Sequence, residues 1–237
     1  MPSVSADNLF ITESAIEAHT RYKAFLSGLR GLASEILSGL NNGTKSFLGM
    51  SRELNSFADK FADQMRDYSD YTLREAAQRS LTASESATGV GVDERAFAAS
   101  DALVAGFDET LSDVVQKQIR RDVAAVETFL RKSLTMGRFF ATTEELNLDL
   151  TFKFTDRSGR QLDSDQYVYR EINWGLRQHY NAILLVAGSA AGLETFVVDG
   201  GSKAGQVVSL DDYDKLSGAI FHHNSKALLQ PTNYSVS

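Results

Sequence analysis

Proline stands at only two places in this chain, Pro2 and Pro231, so everything from Ser3 to Gln230 lacks the residue that most sharply interrupts a helix. Long helices are therefore permitted, and the apolar spacing calls for them. Leu9, Ile16, Tyr22, Phe25, Leu29, Leu32, Ile36 and Leu40 fall mainly three or four apart, which predicts a helix over about 7–40 that stops at Asn41-Asn42-Gly43. Phe47, Met50, Leu54, Phe57, Phe61, Met65 and Tyr68 step in the same way and predict a second helix over about 44–80 with a seam like that of a coiled coil. The small and polar stretch from Thr82 to Gly91 reads as a flexible loop, with Asp93 placed to cap the next helix. A third stripe, from Phe97 through Val104, Leu111, Ile119, Val126 and Leu134, predicts that helix over 94–136, ended by Gly137. Such stripes cover one another, so residues 1–145 are read as a helical hairpin or bundle.

After Thr143 the pattern changes. Leu146, Leu148, Leu150, Phe152 and Phe154 alternate with polar residues, the period of a half-buried strand, and Asp156-Arg157-Ser158-Gly159 reads as a turn. Ser164 or Asp165 is placed to cap a helix carrying Tyr167, Ile172, Leu176, Tyr180 and Leu184, terminated at Gly188 or Gly192. Trp174 and Tyr180 are read as its core residues. Short strands are expected at 195–198, 206–210, 219–221 and 227–229, the first two joined by a turn at 199–202. The fold class expected is α+β: a long N-terminal helical hairpin or bundle followed by a small α+β module over 146–237.

Composition limits the chemistry. The 31 acidic residues outnumber the 24 basic ones, which argues against a broad nucleic-acid-gripping face. With no cysteine, thiolate metal ligands and disulfides are excluded. The N-terminus lacks the pattern of a signal peptide, and no run is long and apolar enough to predict a membrane span, so a protein kept in water is expected.

Candidate sites are few. His222 and His223 are adjacent, and on a strand they would face opposite ways, with Asp211, Asp212, Asp214 and Asn224 as the only nearby additional ligands; no metal is expected. Gly188-Ser189-Ala190-Ala191-Gly192 has the glycines of a phosphate loop without its Lys-Ser/Thr ending, and it follows a helix, so no nucleotide or other cofactor is expected. Glu144-Glu145 and Asp211-Asp212 read as solvated faces or caps, and no catalytic residue is assigned. Arg120, Arg121, Arg131 and Lys132 recur about three turns apart on the third helix, a face suited to an acidic partner or DNA, or simply solvated and balanced by Asp122 and Glu127.

The C-terminal part carries a resemblance. Phe154-Thr-Asp-Arg-Ser-Gly-Arg160, then Tyr167-Val168 with Arg170, then Tyr180-Asn181, Gly192-Leu193-Glu194, Gly205-Gln-Val-Val-Ser-Leu210 and His222-His-Asn-Ser-Lys-Ala-Leu-Leu-Gln-Pro231 follow one another in that order. This series resembles the minor capsid or head morphogenesis proteins of tailed bacteriophages, of the Mu F-like and minor-capsid-type-2 kinds, over residues 150–232. Where that family carries cysteines, this chain has Ser202 and Ser225, and where it has a proline this chain has His223. A metal staple is therefore not implied here. The resemblance implies a non-enzymatic virion structural protein of the head, made in the host cytoplasm and present in several copies or as a homo-oligomer. Its expected partners are the portal or major capsid protein, with room for weak DNA contact and no membrane contact. Its role would lie in head assembly, DNA packaging or delivery. On that reading Phe47, Leu54, Phe57 and Phe61 join Arg120, Arg121, Arg131 and Lys132 as residues for contacting a partner. The alternatives are a helical scaffold or tail- or connector-associated protein, and an enzyme of transferase type with a polar site built from Arg170, Glu171, Arg177, His179 and Glu194.

Overall fold

The computed structural model describes residues 5–91, 94–137, 146, 150–156, 159–222 and 225–232. Three long helices come first, α1 (Ala6–Asn41), α2 (Phe47–Thr88) and α3 (Glu94–Thr135). A short hairpin, β1 (Lys153–Thr155) and β2 (Gln161–Asp163), leads into α4 (Ser164–Ala190). Then come β3 (Thr195–Asp199), β4 (Val207–Ser209), a 3-10 turn at Leu210–Asp212, α5 (Tyr213–Ile220) and β5 (Leu228–Pro231). The α+β class with a helical N-terminal part stands.

The differences from the sequence reading have local causes. Helix α2 starts at Phe47 because Ser46 is its cap, its hydroxyl accepting the Gly49 N–H at 3.1 Å. It then runs on through the stretch read as a loop, to Thr88. Alanine and serine there are small enough for close approach, Ala83 and Ser84 are fully buried, and the first glycine comes only at Gly89. The alternating run 146–154 is not one strand. The Leu150 N–H donates to the Leu146 carbonyl at 2.9 Å, the spacing of a helical turn, and extended structure is confined to Lys153–Thr155; Leu148 lies outside the described residues. Ala219-Ile220-Phe221 is not a strand either. The Ser209 hydroxyl accepts the Asp212 N–H at 3.2 Å, and the turn it caps passes directly into α5, which includes Ala219 and Ile220.

The chain forms two compact units. One contains residues 1–17, 67–112 and 170–237; the other contains 18–66 and 113–169. These units interleave the chain and do not coincide with a division at 145/146; each of the four long helices contributes residues to both.

In the first unit, β3 is the central strand of an antiparallel sheet of order β4-β3-β5, with Phe196 opposite Val208 on one side and Pro231 on the other. Phe196, Val198, Val208, Leu228 and Leu229 are buried, as are Ile172, Leu176, Tyr180 and Leu184 of α4; Trp174 is only half-buried. Gly188 brings α4 close to the sheet: a methyl group there would sit 3.1 Å from both the Phe196 ring and Leu193. The second unit holds parts of α1, α2 and α3 and the β1–β2 hairpin, with Phe154 opposite Leu162. Its core is Tyr22, Phe25, Leu29 and Ile36 of α1, Met50, Leu54, Phe61 and Met65 of α2, and Ile119, Val126 and Leu130 of α3.

Candidate functional site

In the first unit the N-terminal turn of α1 is tied down by a buried polar network. Arg177, on α4 and 3% exposed, sends Nη1 to Asn8 Oδ1 at 2.7 Å and to the Lys226 carbonyl at 3.0 Å, Nη2 to Thr12 Oγ1 at 3.0 Å, and Nε to Asn173 Oδ1 at 3.2 Å. Asn8 in turn donates to the Asp199 carbonyl and to the Lys226 carbonyl, at 3.2 and 3.1 Å. Ser5 donates its hydroxyl to Asp199 at 2.6 Å. Gln230 donates to the Ser5 hydroxyl and to Asp7, and Tyr180 donates to Asp7 at 3.0 Å. Beside it Asn181 accepts the Leu229 N–H at 2.9 Å. Gly200 makes room for this crossing: its φ is +77°, and a methyl group there would lie 2.7 Å from both Asn8 Nδ2 and the Lys226 carbonyl oxygen. These bonds tie residues 5–12 into the fold, with Asp7 also facing Arg79 at 3.7 Å and the buried Asn181 Nδ2 without a hydrogen-bond partner.

Arg177 and His179, two of the residues considered for a polar catalytic site, are therefore structural. His179 is fully buried, bonded through Nε2 to the Leu73 carbonyl at 3.1 Å and edge-on to Phe107. Burial pulls its pKa down to about 4. Glu194 is exposed, and Arg170 and Glu171 are half-buried. Gly188–Gly192 is a helix stop, with the Leu193 N–H returning to the Gly188 carbonyl at 2.8 Å and Gly192 at φ +85°. Asp212 accepts from Ser209 and Lys215 at the exposed start of α5. His223, Asn224, Glu144 and Glu145 lie outside the described residues, among which no group of three or more His, Asp or Glu side chains is placed to hold a metal ion. No helix among them is long and apolar enough to cross a membrane.

The second unit contains a buried acid. Asp122 is 1% exposed, buried in the second unit while it still feels the charge of Arg121 beside it. Its carboxylate accepts Tyr22 Oη at 2.7 Å, Ser164 Oγ at 2.8 Å and Gln118 Nε2 at 3.1 Å. Burial pushes its pKa up to about 6, against the opposing pull of these three donors. The Tyr22 hydroxyl is raised too, first by burial and then by the adjoining carboxylate. Asp165, next to Ser164 at the start of α4, pairs with His19 at 2.8 Å. The sequence held a signal for this site: Gln118 and Asp122 are four apart, inside the buried stripe Val115, Ile119, Val126.

The residues expected to contact partners divide. Leu54 is fully buried and Phe61 is 9% exposed, so both belong to the interior of the second unit. Phe57 is half-buried, and Phe47 is exposed under the Arg131 guanidinium, 5.6 Å from its ring centroid. Arg121 lies 5.3 Å from the Phe154 ring, itself stacked on Tyr167. Arg120 lines a polar groove of about 470 Å³ between α2 and α3, together with Asp59, Asp63, Arg66 and Glu127. Lys132 is exposed. A second groove, of about 360 Å³ between α1 and α2, is floored by Phe25, Phe57 and Phe61. Comparison with protein families, with curated proteins and with solved structures finds no match.

Proposed function

We propose that this chain is a bacteriophage virion structural protein, a minor head protein associated with the portal or the inner capsid. In this reading it works by protein–protein contact in head assembly, DNA packaging or delivery, in several copies per particle and without catalysis. One observation carries the reading: pieces of the head-protein resemblance that lie far apart in sequence are bonded to each other. Tyr180-Asn181 and His222–Pro231 are both parts of that resemblance, and Asn181 accepts the Leu229 N–H inside the second of them, while Tyr180 and Gln230 both bond Asp7, which lies outside it. Gly205–Leu210, another matched element, supplies β4 of the same sheet.

The test is to express the chain alone and with the portal and major head proteins of the same genome, and to measure by size-exclusion chromatography with light scattering what co-elutes. Stoichiometric co-elution with a portal ring is expected, together with a fixed copy number in purified particles. Absence from particles and indifference to both partners would leave the second reading, a helical scaffold or connector-associated protein, which the length of α1, α2 and α3 favours.

A further inference from the structure

We infer that a pocket of the second unit, between α1 and the chain entering β1, binds a small oxyanion, a carboxylate or phosphate group, on the Arg30 guanidinium. The pocket holds about 280 Å³ and is backed by Leu26 of α1 and by Phe152, both buried. Arg30 is half-buried, with its Cζ 4.8 Å from the Phe152 ring centroid. A ring face attracts the cation without supplying the oxygen acceptors that guanidinium N–H groups require. Arg30 Nε is buried with no hydrogen-bond partner. No hydrogen bond or ion pair joins another described residue to Arg30, or to Lys23, which lines the same pocket from two turns earlier on α1. Arg177 in the first unit shows the usual outcome for a buried guanidinium, its nitrogens donating to Asn8, Thr12, Asn173 and the Lys226 carbonyl.

The other charged groups at the pocket already have partners. Lys153 pairs with Asp163, and Asp165 pairs with His19 at 2.8 Å. Two cations remain, Arg30 and the exposed Lys23. Burial pulls the Arg30 pKa below its ordinary value, against the opposing pull of the Asp165 and Asp122 charges, and a guanidinium so placed stays charged. An oxyanion seated there supplies the acceptors that the fold withholds, in the paired N–H···O geometry that a planar guanidinium offers to carboxylate and phosphate. The volume falls just under the range for drug-sized ligands, roughly 300–1,000 Å³, and suits one anionic group. Two cations are too few to grip a nucleic-acid backbone, where affinity grows with the number of phosphates neutralised. None of these contacts depends on the chain being a head protein.

The test uses the full chain, isotope-labelled for NMR, titrated with inorganic phosphate or with acetate, each against chloride at equal ionic strength. The signals followed are the Arg30 Nε–H, assigned by its loss in Arg30→Lys, and the backbone amides of 23–30 and 151–153. Shifts that saturate with phosphate, with acetate or with both, and not with chloride, are expected, and the anion that saturates tells a phosphate ligand from a carboxylate one. Arg30→Lys keeps the charge and removes the planar fork, and is expected to weaken binding at least about tenfold, the loss of one charge-assisted hydrogen bond. Lys23→Gln, at an exposed position, is expected to weaken it about two- to fivefold, and it decides the test should the first variant misfold. Shifts that rise linearly and match those of chloride overturn the inference. So does saturable binding that both substitutions leave unchanged.

Discussion

Asp122 is the residue whose chemistry is most constrained by its surroundings. Its pKa is about 6 in the fold against 3.8 when exposed, so the folded state holds a proton that the unfolded chain has already released. That contribution to stability is fully present below about pH 4 and is lost as pH rises through 6. At about 1.4 kcal/mol per pKa unit it amounts to roughly 3 kcal/mol at most. Asp122→Asn removes the titration. Hydrogen exchange over residues 18–40 and 113–135 should slow on going from pH 7 to pH 5, after correction for intrinsic rates, in the parent chain but not in the variant. Arg177 is a buried cation whose guanidinium donates to Asn8, Thr12, Asn173 and the Lys226 carbonyl. Arg177→Met leaves these acceptors without their donor and is expected to cost about 3 kcal/mol. The loss should appear first as fast exchange in residues 5–12, which the guanidinium holds; uniform exchange across the first unit would refute that role.

At the scale of elements, the approach of α4 to the sheet depends on Gly188. Gly188→Val puts branched carbons where a single methyl already comes within 3.1 Å of Phe196 and Leu193, and it is expected to cost about 1–3 kcal/mol in urea denaturation followed by Trp174 fluorescence. The three long helices were legible because no proline falls between Pro2 and Pro231 and Phe47, Met50, Leu54 and Phe61 repeat on one face. The end of α2 was not, because Thr82–Thr88 has the composition of a loop, and only the burial of Ala83 and Ser84 makes it helix. Leu146 and Leu150 fit a strand as every second residue and a helical turn as a four-residue step, and spacing alone does not choose. The candidate sites were legible only in part. Phe57 and Phe61 stood out in the seam, but their stacking on Phe25 depends on how two helices register. The Asn8–Arg177 contact joins residues 169 positions apart, a distance that no local pattern spans.

For the whole molecule, the two units should respond to acid in opposite directions. His179 in the first unit is held neutral, its pKa lowered to about 4 from 6.5, so its contribution is present above about pH 6.5 and is lost as pH falls through 4. Asp122 in the second unit gains over nearly the same interval. Each effect is worth roughly 3 kcal/mol at most at about 1.4 kcal/mol per unit, a large share of the 5–15 kcal/mol typical of a domain. The one tryptophan, Trp174, lies in the first unit, whereas helical ellipticity draws on both. Urea titrations at pH 7 and pH 5 separate the two responses. At pH 5 the fluorescence midpoint should fall relative to the ellipticity midpoint, and the ellipticity curve should broaden or split as the second unit outlasts the first. His179→Gln should restore coincidence on the fluorescence side, and Asp122→Asn on the other. If the two midpoints move together at both pH values in the parent chain, the helices that run through both units couple them more strongly than either titration can overcome.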